Sequence, residues 1–256
     1  MNKKTIIGII CAVIVIAIIG GIYFFTGNSN NNNSHTINAP NVNLGNNDEN
    51  NNEALEDENN NEVASTEENT SSEGLKTLVV YFSVPETDNP NNMTRDEDNS
   101  TVVVNGEVLD NTQYIAQLIQ ERTSADIFRL EPTNAYPTDH SELLARAQEE
   151  MQNDVKPEIK GSIENFEQYD VIFVGYPIWW HTAPMIIGTF LENYDLTGVE
   201  IYPFTQSSSM DAEQFENSMD FVRENAKAAN VHDGLFVKPS DTDGIHAYLV
   251  ENGFIK

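Results

Sequence analysis

The chain has 256 residues, with 13 Lys and Arg against 41 Asp and Glu, for a net charge of −28. Such a surface repels phosphate backbones, which excludes nucleic acid as a partner. A single cysteine, Cys11, excludes an intramolecular disulfide, so the fold must rest on core packing.

The first element in chain order is an apolar run. Thr5 to Phe25, "TIIGIICAVIVIAIIGGIYFF", carries no charge over 21 residues. At ~1.5 Å per residue that is enough to cross a hydrocarbon core of roughly 30 Å. Lys3 and Lys4 precede it, and the next basic residue is Lys76. The positive-inside rule therefore predicts a cytoplasmic N-terminus and an exported remainder. The run is too long for a cleaved signal peptide, and no small-x-small site follows it. Residues 1–26 are thus expected to be a cytoplasmic tip and transmembrane anchor (membrane contact through 5–25). The protein is then single-pass in the cell membrane, with its C-terminal domain extracellular.

Residues 27–73 change composition abruptly, as in "NNDENNNEALEDENNNE". They hold ten acids, no Lys or Arg and no aromatic residue. Such a segment cannot bury enough apolar surface to offset its ordering entropy, which predicts a disordered tether.

From residue 74 to 256 strands and helices alternate. Leu75 to Phe82 is β-rich and apolar, and Thr112 to Glu121 has Ile115, Leu118 and Ile119 at helical spacing. Asp126 to Leu130 reads as a strand and Ser141 to Met151 as an amphipathic helix. "VIFVGY", Val171 to Tyr176, is an apolar strand, followed by a helix from Ala183 to Tyr194. Ile201 to Phe204 is a strand and Ala212 to Ala229 a long helix. Leu235 to Val237 and Asp243 to Glu251 close the series as strand and helix. Near-continuous apolar strands between helices predict an α/β three-layer sandwich around a five-stranded parallel sheet. One link breaks the rhythm. Nearly thirty residues separate Ser83 from the first helix, and inside them "TVVVNGEV" places Asn105-Gly106 between two β-prone runs. That predicts a hairpin insertion after the first strand.

Ligands of such sheets bind beyond the carboxyl ends of the strands, and three loops there carry chemistry. The first joins Ser83 to Asn111 and Thr112, where exposed N–H groups and the helix dipole favour an anion. Asn111 serves equally as a plain helix cap. The second is "PIWWHTAP", with the chain's only two tryptophans side by side. These are either core rings or a wall for a flat ligand. The third is "TQSSSM", a run of small polar groups that also suits an ordinary turn. Together they describe a ligand with a phosphate at one end, a flat aromatic body and polar edges at the other, which is the form of FMN. Tyr136 and His140 follow the second strand and either edge the site or simply turn into a helix. The chain contains no G-x-G-x-x-G, Walker loop, G-x-S-x-G or H-E-x-x-H. Its scattered histidines, without cysteine beyond residue 11, argue against zinc.

Over about Leu75 to Phe254 the chain resembles flavodoxins, and closely a flavodoxin-like family with a long insertion in the phosphate loop. The motifs are "LVVYFS", "NTQYIAQLI", "YDVIFVGYPIWWHTAPMIIGTFLENYDLTG" and "IYPFTQSSS". The resemblance implies sheet order 2-1-3-4-5 and noncovalent FMN. It implies phosphate contacts from Ser83, Asn111 and Thr112. Pro177, Ile178, Trp179, Trp180 and His181 would line the isoalloxazine. Thr205, Gln206, Ser207, Ser208 and Ser209 would contact the pyrimidine end. Two positions depart from the family's pattern: Asp110 stands where Gly usually precedes Asn-Thr, and Ser207, Ser208 and Ser209 replace loop glycines. The function implied is membrane-anchored electron transfer or flavin-dependent oxidoreduction outside the cell, with a redox protein or a small-molecule or quinone acceptor as partner. An acidic domain would disfavour an anionic reduced flavin and so lower its potential. The alternative is a cell-surface binding module that has lost the cofactor.

Overall fold

A computed structural model describes residues 36–37 and 74–256. The predicted anchor lies outside the described residues. So does the predicted tether, except for Thr36–Ile37 (β1). Among the described residues no helix is long and apolar enough to cross a membrane.

The central sheet has strands β2 (Thr77–Phe82), β5 (Asp126–Leu130), β6 (Val171–Pro177), β7 (Glu200–Gln206), β8 (Asn230–Val231) and β9 (Leu235–Phe236). Every pairing in it is parallel, in the order β5-β2-β6-β7-β8, with β9 also on β7. This is the expected 2-1-3-4-5 order, with the fifth strand split in two around residues 232–234. All seven residues of β6 are buried, because helices cover both faces of the sheet. That is why the strand reads as one continuous apolar run rather than an alternating one.

Side chains alternate across β2. Leu78, Val80 and Phe82 join one core cluster, with Leu143, Phe190 and Val222 from α3 (His140–Gln152), α4 (Met185–Asn193) and α5 (Ala212–Asn225). Val79 and Tyr81 join the other, with Ile115 and Ile119 of α2 (Asn111–Thr123) and Ile245 and Leu249 of α6 (Thr242–Glu251). The result is a three-layer α/β/α sandwich.

The insertion after β2 holds α1 (Arg95–Ser100) and the hairpin of β3 (Thr101–Val104) and β4 (Glu107–Asp110). β1 adds to this small sheet, parallel to β3. The two-residue turn carries Asn105 at φ 53° and Gly106 at φ 87°, the left-handed pair that matches strand twist in a hairpin. α1 has no buried residue and so no apolar periodicity. What specifies it is a reciprocal cap. Thr94 Oγ1 accepts from Glu97 N at 3.2 Å, and Glu97 Oε2 accepts from Thr94 N at 2.6 Å. A Cβ on Gly106 would meet no atom within 4 Å, so Gly106→Ala strains the backbone alone. It is expected to lower stability by about 1 kcal/mol in a urea titration.

Candidate functional site

The carboxyl ends of β2, β5, β6 and β7 converge on one edge, and specific contacts tie their loops together. Asn111 Nδ2, at the start of α2, lies 3.4 Å from Gln206 Oε1 at the end of β7 and donates to Asn99 O at 2.8 Å. Ile178 N donates to Gln206 O at 3.3 Å, which joins the loop after β6 to that after β7. Asn111, Gln206, Ser207 and Ser208, with Lys238 and Asn99, line a cavity of about 200 Å³.

The first loop contains the clearest vacancy in bonding. Ser83, Asn111 and Thr112 are 3%, 4% and 1% exposed. Their atoms Ser83 Oγ, Asn111 Oδ1 and Thr112 Oγ1 have no hydrogen-bond partner, and among the described residues they are the buried side-chain atoms without one. Buried polar atoms left unpaired cost about 1–3 kcal/mol each, a cost that a partner bringing its own donors and acceptors to this loop would relieve.

Asp110 turns into the same place. It is 3% exposed, and its Oδ1 accepts from Thr112 N at 2.7 Å and Gln113 N at 3.4 Å. The carboxylate therefore occupies the first N–H groups of α2. Burial pushes its pKa up to about 6, against the opposing effects of those N–H bonds, of the nearby Thr112 hydroxyl and, last, of the Arg129 charge. The Thr112 hydroxyl is thus close to the carboxylate without meeting it in hydrogen-bond geometry. Arg129, on β5, donates from Nη2 to the Ser83 carbonyl at 3.1 Å. With Ser83, Tyr136 and Lys160 it lines a second cavity of about 250 Å³.

The tryptophan loop is a tight turn in which Trp179 N and Thr182 N each bond the other's carbonyl, at 3.0 and 3.1 Å. Trp180 and His181 at its tip have φ 49° and 65°. Two successive non-glycine residues in the left-handed region are a strained choice, kept where surrounding contacts enforce it. Trp179 meets Phe82 and Tyr136 edge-on, each with centroids 5.3 Å apart. Trp180 donates from Nε1 to Leu144 O of α3 at 2.8 Å. The paired indoles thus diverge, one into the aromatic cluster and one onto a helix, and neither lines the two cavities above. Pro177 is buried at the end of β6, Ile178 is half-buried and His181 is exposed.

In the third loop Thr205 is fully buried and its hydroxyl donates to the Tyr176 carbonyl of the neighbouring strand. Ser207 Oγ accepts from Met210 N at 3.0 Å and lies 3.3 Å from Ser209 Oγ. Ser208 and Ser209 are exposed. The positive φ of this turn falls on Met210, at 50°, so the serines that replace glycines carry no backbone strain.

One contributor, Arg129, is not read from the sequence, and a second, Tyr136, is read only in part. Arg129 looks like an ordinary polar strand residue, and only strand pairing brings it beside Ser83. Tyr136 was singled out only as an edge residue. Its hydroxyl bonds buried Glu150, and Arg146, which pairs with Glu150 at 2.8 Å, stacks 3.9 Å from its ring. This buried network anchors the aromatic cluster under the tryptophan loop. His140 pairs instead with Glu86 at 3.0 Å.

A flavodoxin family model matches residues 102–252 of the chain. Among solved structures, the chain is similar to a protein from Bacteroides eggerthii assigned as a flavoprotein, at 27% identity and TM-score 0.54, over 70% of this chain and 98% of that one. A second such protein, from Bacteroides uniformis, is 25% identical with TM-score 0.54, over 69% of this chain and 99% of that one. A flavoprotein from Lactobacillus acidophilus, in complex with FMN, is 21% identical with TM-score 0.46, over 68% and 99%. No curated protein matches the chain.

Proposed function

Because the chain belongs to the flavodoxin family, we propose that it binds a flavin noncovalently at the carboxyl edge of its sheet and passes electrons between a redox protein and a small-molecule or quinone acceptor. The flavin implied by the resemblance is FMN. Its predicted anchor would hold this domain on the outer side of the cell membrane.

The observation that carries the reading is the set of three buried, unpartnered atoms, Ser83 Oγ, Asn111 Oδ1 and Thr112 Oγ1. They lie on the two ends of one loop, with Phe82, Tyr136 and Trp179 packed beside it. A bound flavin supplies reversible electron chemistry that no side chain offers. The chain's own part is to hold the tail at Ser83, Asn111 and Thr112 and to exclude water with the tryptophan turn. After Glu73 there are 11 basic and 31 acidic residues, about −20 net. That field opposes added negative charge at the ring and favours a low potential.

The full-length chain, titrated with flavin, is expected to quench flavin fluorescence with saturation. Trp179→Leu removes the ring packed on Phe82 and Tyr136 beside that loop and is expected to weaken binding about tenfold by loosening it, the scale of one lost aromatic pair. Absence of any flavin binding would leave the second reading, a cofactor-free surface module. What favours that reading is Asp110, whose carboxylate already fills the N–H groups an anion would use.

A further inference from the structure

We infer that the tail cradle of this chain selects an uncharged, hydroxyl-bearing flavin tail over a phosphorylated one, so that it holds riboflavin in preference to FMN. The inference rests on the flavin reading above and names the tail within it.

A phosphate at a helix start is held by the first free N–H groups and the positive end of the dipole. Here Asp110 Oδ1 takes both Thr112 N and Gln113 N. The carboxylate is an internal anion where the ligand's anion would sit. With its pKa at about 6 it is ionised at pH 8, and two like charges sharing one buried place repel strongly.

The unpartnered atoms tell the same way. The orientation of the Asn111 amide is fixed by its neighbours, because Nδ2 faces the Asn99 carbonyl, which can only accept. The free atom is therefore Oδ1, an acceptor that needs a donor. A phosphate dianion has none, whereas the terminal 5′-hydroxyl that riboflavin carries in its place has one; the other ribityl hydroxyls are common to both flavins. Ser83 Oγ and Thr112 Oγ1 donate or accept as required. One acceptor and two hydroxyls, beside the Asp110 carboxylate, complement a neutral hydroxyl and mismatch a dianion. Arg129 does not reverse the balance. Its charge is the smallest of the effects on Asp110, and the donor it points at this loop, Nη2, bonds the Ser83 carbonyl.

The test is a pair of titrations of the full-length chain at pH 8, one with riboflavin and one with FMN, read by flavin fluorescence. Riboflavin is expected to bind at least about tenfold tighter. Asp110→Gly frees the N–H groups, and Asp110→Asn keeps the cap without the charge. Each is expected to move the ratio of the two affinities about tenfold or more toward FMN. FMN binding as tight as riboflavin in the unaltered chain would overturn the inference and leave the flavin reading standing. So would a ratio that neither variant moves. Binding of neither flavin would overturn both.

Discussion

Gly175→Ala is expected to destabilise the domain by about 3 kcal/mol and to lower its melting temperature by roughly 10 °C. Gly175 sits in mid-β6, paired in register with Phe204 of β7, and the Phe204 ring lies across it. A Cβ there would stand 2.8 Å from Phe204 Cε1 and closer still to Cε2 and Cζ. The ring has nowhere to go, since Phe204 is fully buried among Val79, Phe173 and Leu235. Interiors packed to crystal density absorb an added methyl only by moving backbone or forcing a poor rotamer. The displacement would reach the site, because β6 runs two residues on into Pro177 and the tryptophan turn. Phe204→Leu should partly rescue Gly175→Ala, with a coupling of at least about 1 kcal/mol in a double-mutant cycle. Thermal unfolding of the four proteins checks this. An unchanged melting temperature for the single variant would mean that the ring swings aside freely.

Much of the fold was legible because burial on both faces leaves a plain trace. "LVVYF" and "VIFVGY" admit no polar residue, and their parallel pairing follows from the helices between them. The hairpin was legible because Asn-Gly is the pair that tolerates two left-handed residues. α1 was not, since "RDEDNS" buries nothing, and only Thr94 and Glu97, three apart, announce it. The break of the fifth strand into β8 and β9 left no periodic signal, as each piece is two residues long. The site was legible in position and less so in chemistry. The sequence put Ser83, Asn111 and Thr112 at one edge. It could not decide whether Asp110 faced in or out, because either direction suits a residue ahead of a helix. Nor could it separate the tryptophans, because the partners that pull them apart, Leu144 and Tyr136, lie some forty residues upstream. Contacts of that range come from topology rather than from local pattern.

The inward Asp110 also sets a stability dependence on pH. Its folded pKa is about 6 against 3.8 for the free group, so the folded state holds this proton more tightly than the unfolded chain. The stabilisation is complete below about pH 4 and is lost as pH rises through 6. At about 1.4 kcal/mol for each tenfold change in proton affinity, the loss is on the order of 3 kcal/mol by pH 7. Asp110→Asn removes the charge and keeps a side-chain oxygen for Thr112 N, and Asn caps helices as well as Asp does. The variant is therefore expected to be more stable than the unaltered chain by roughly 2–3 kcal/mol at pH 7 and about equal to it at pH 4. Urea titrations at the two pH values read this directly. A gain of the same size at both would place the effect in packing rather than charge. No gain at pH 7 would mean that the two N–H bonds and Arg129 compensate the buried carboxylate in full. The acid that caps α2 would then sit there without strain, in a cradle already satisfied by its own side chain.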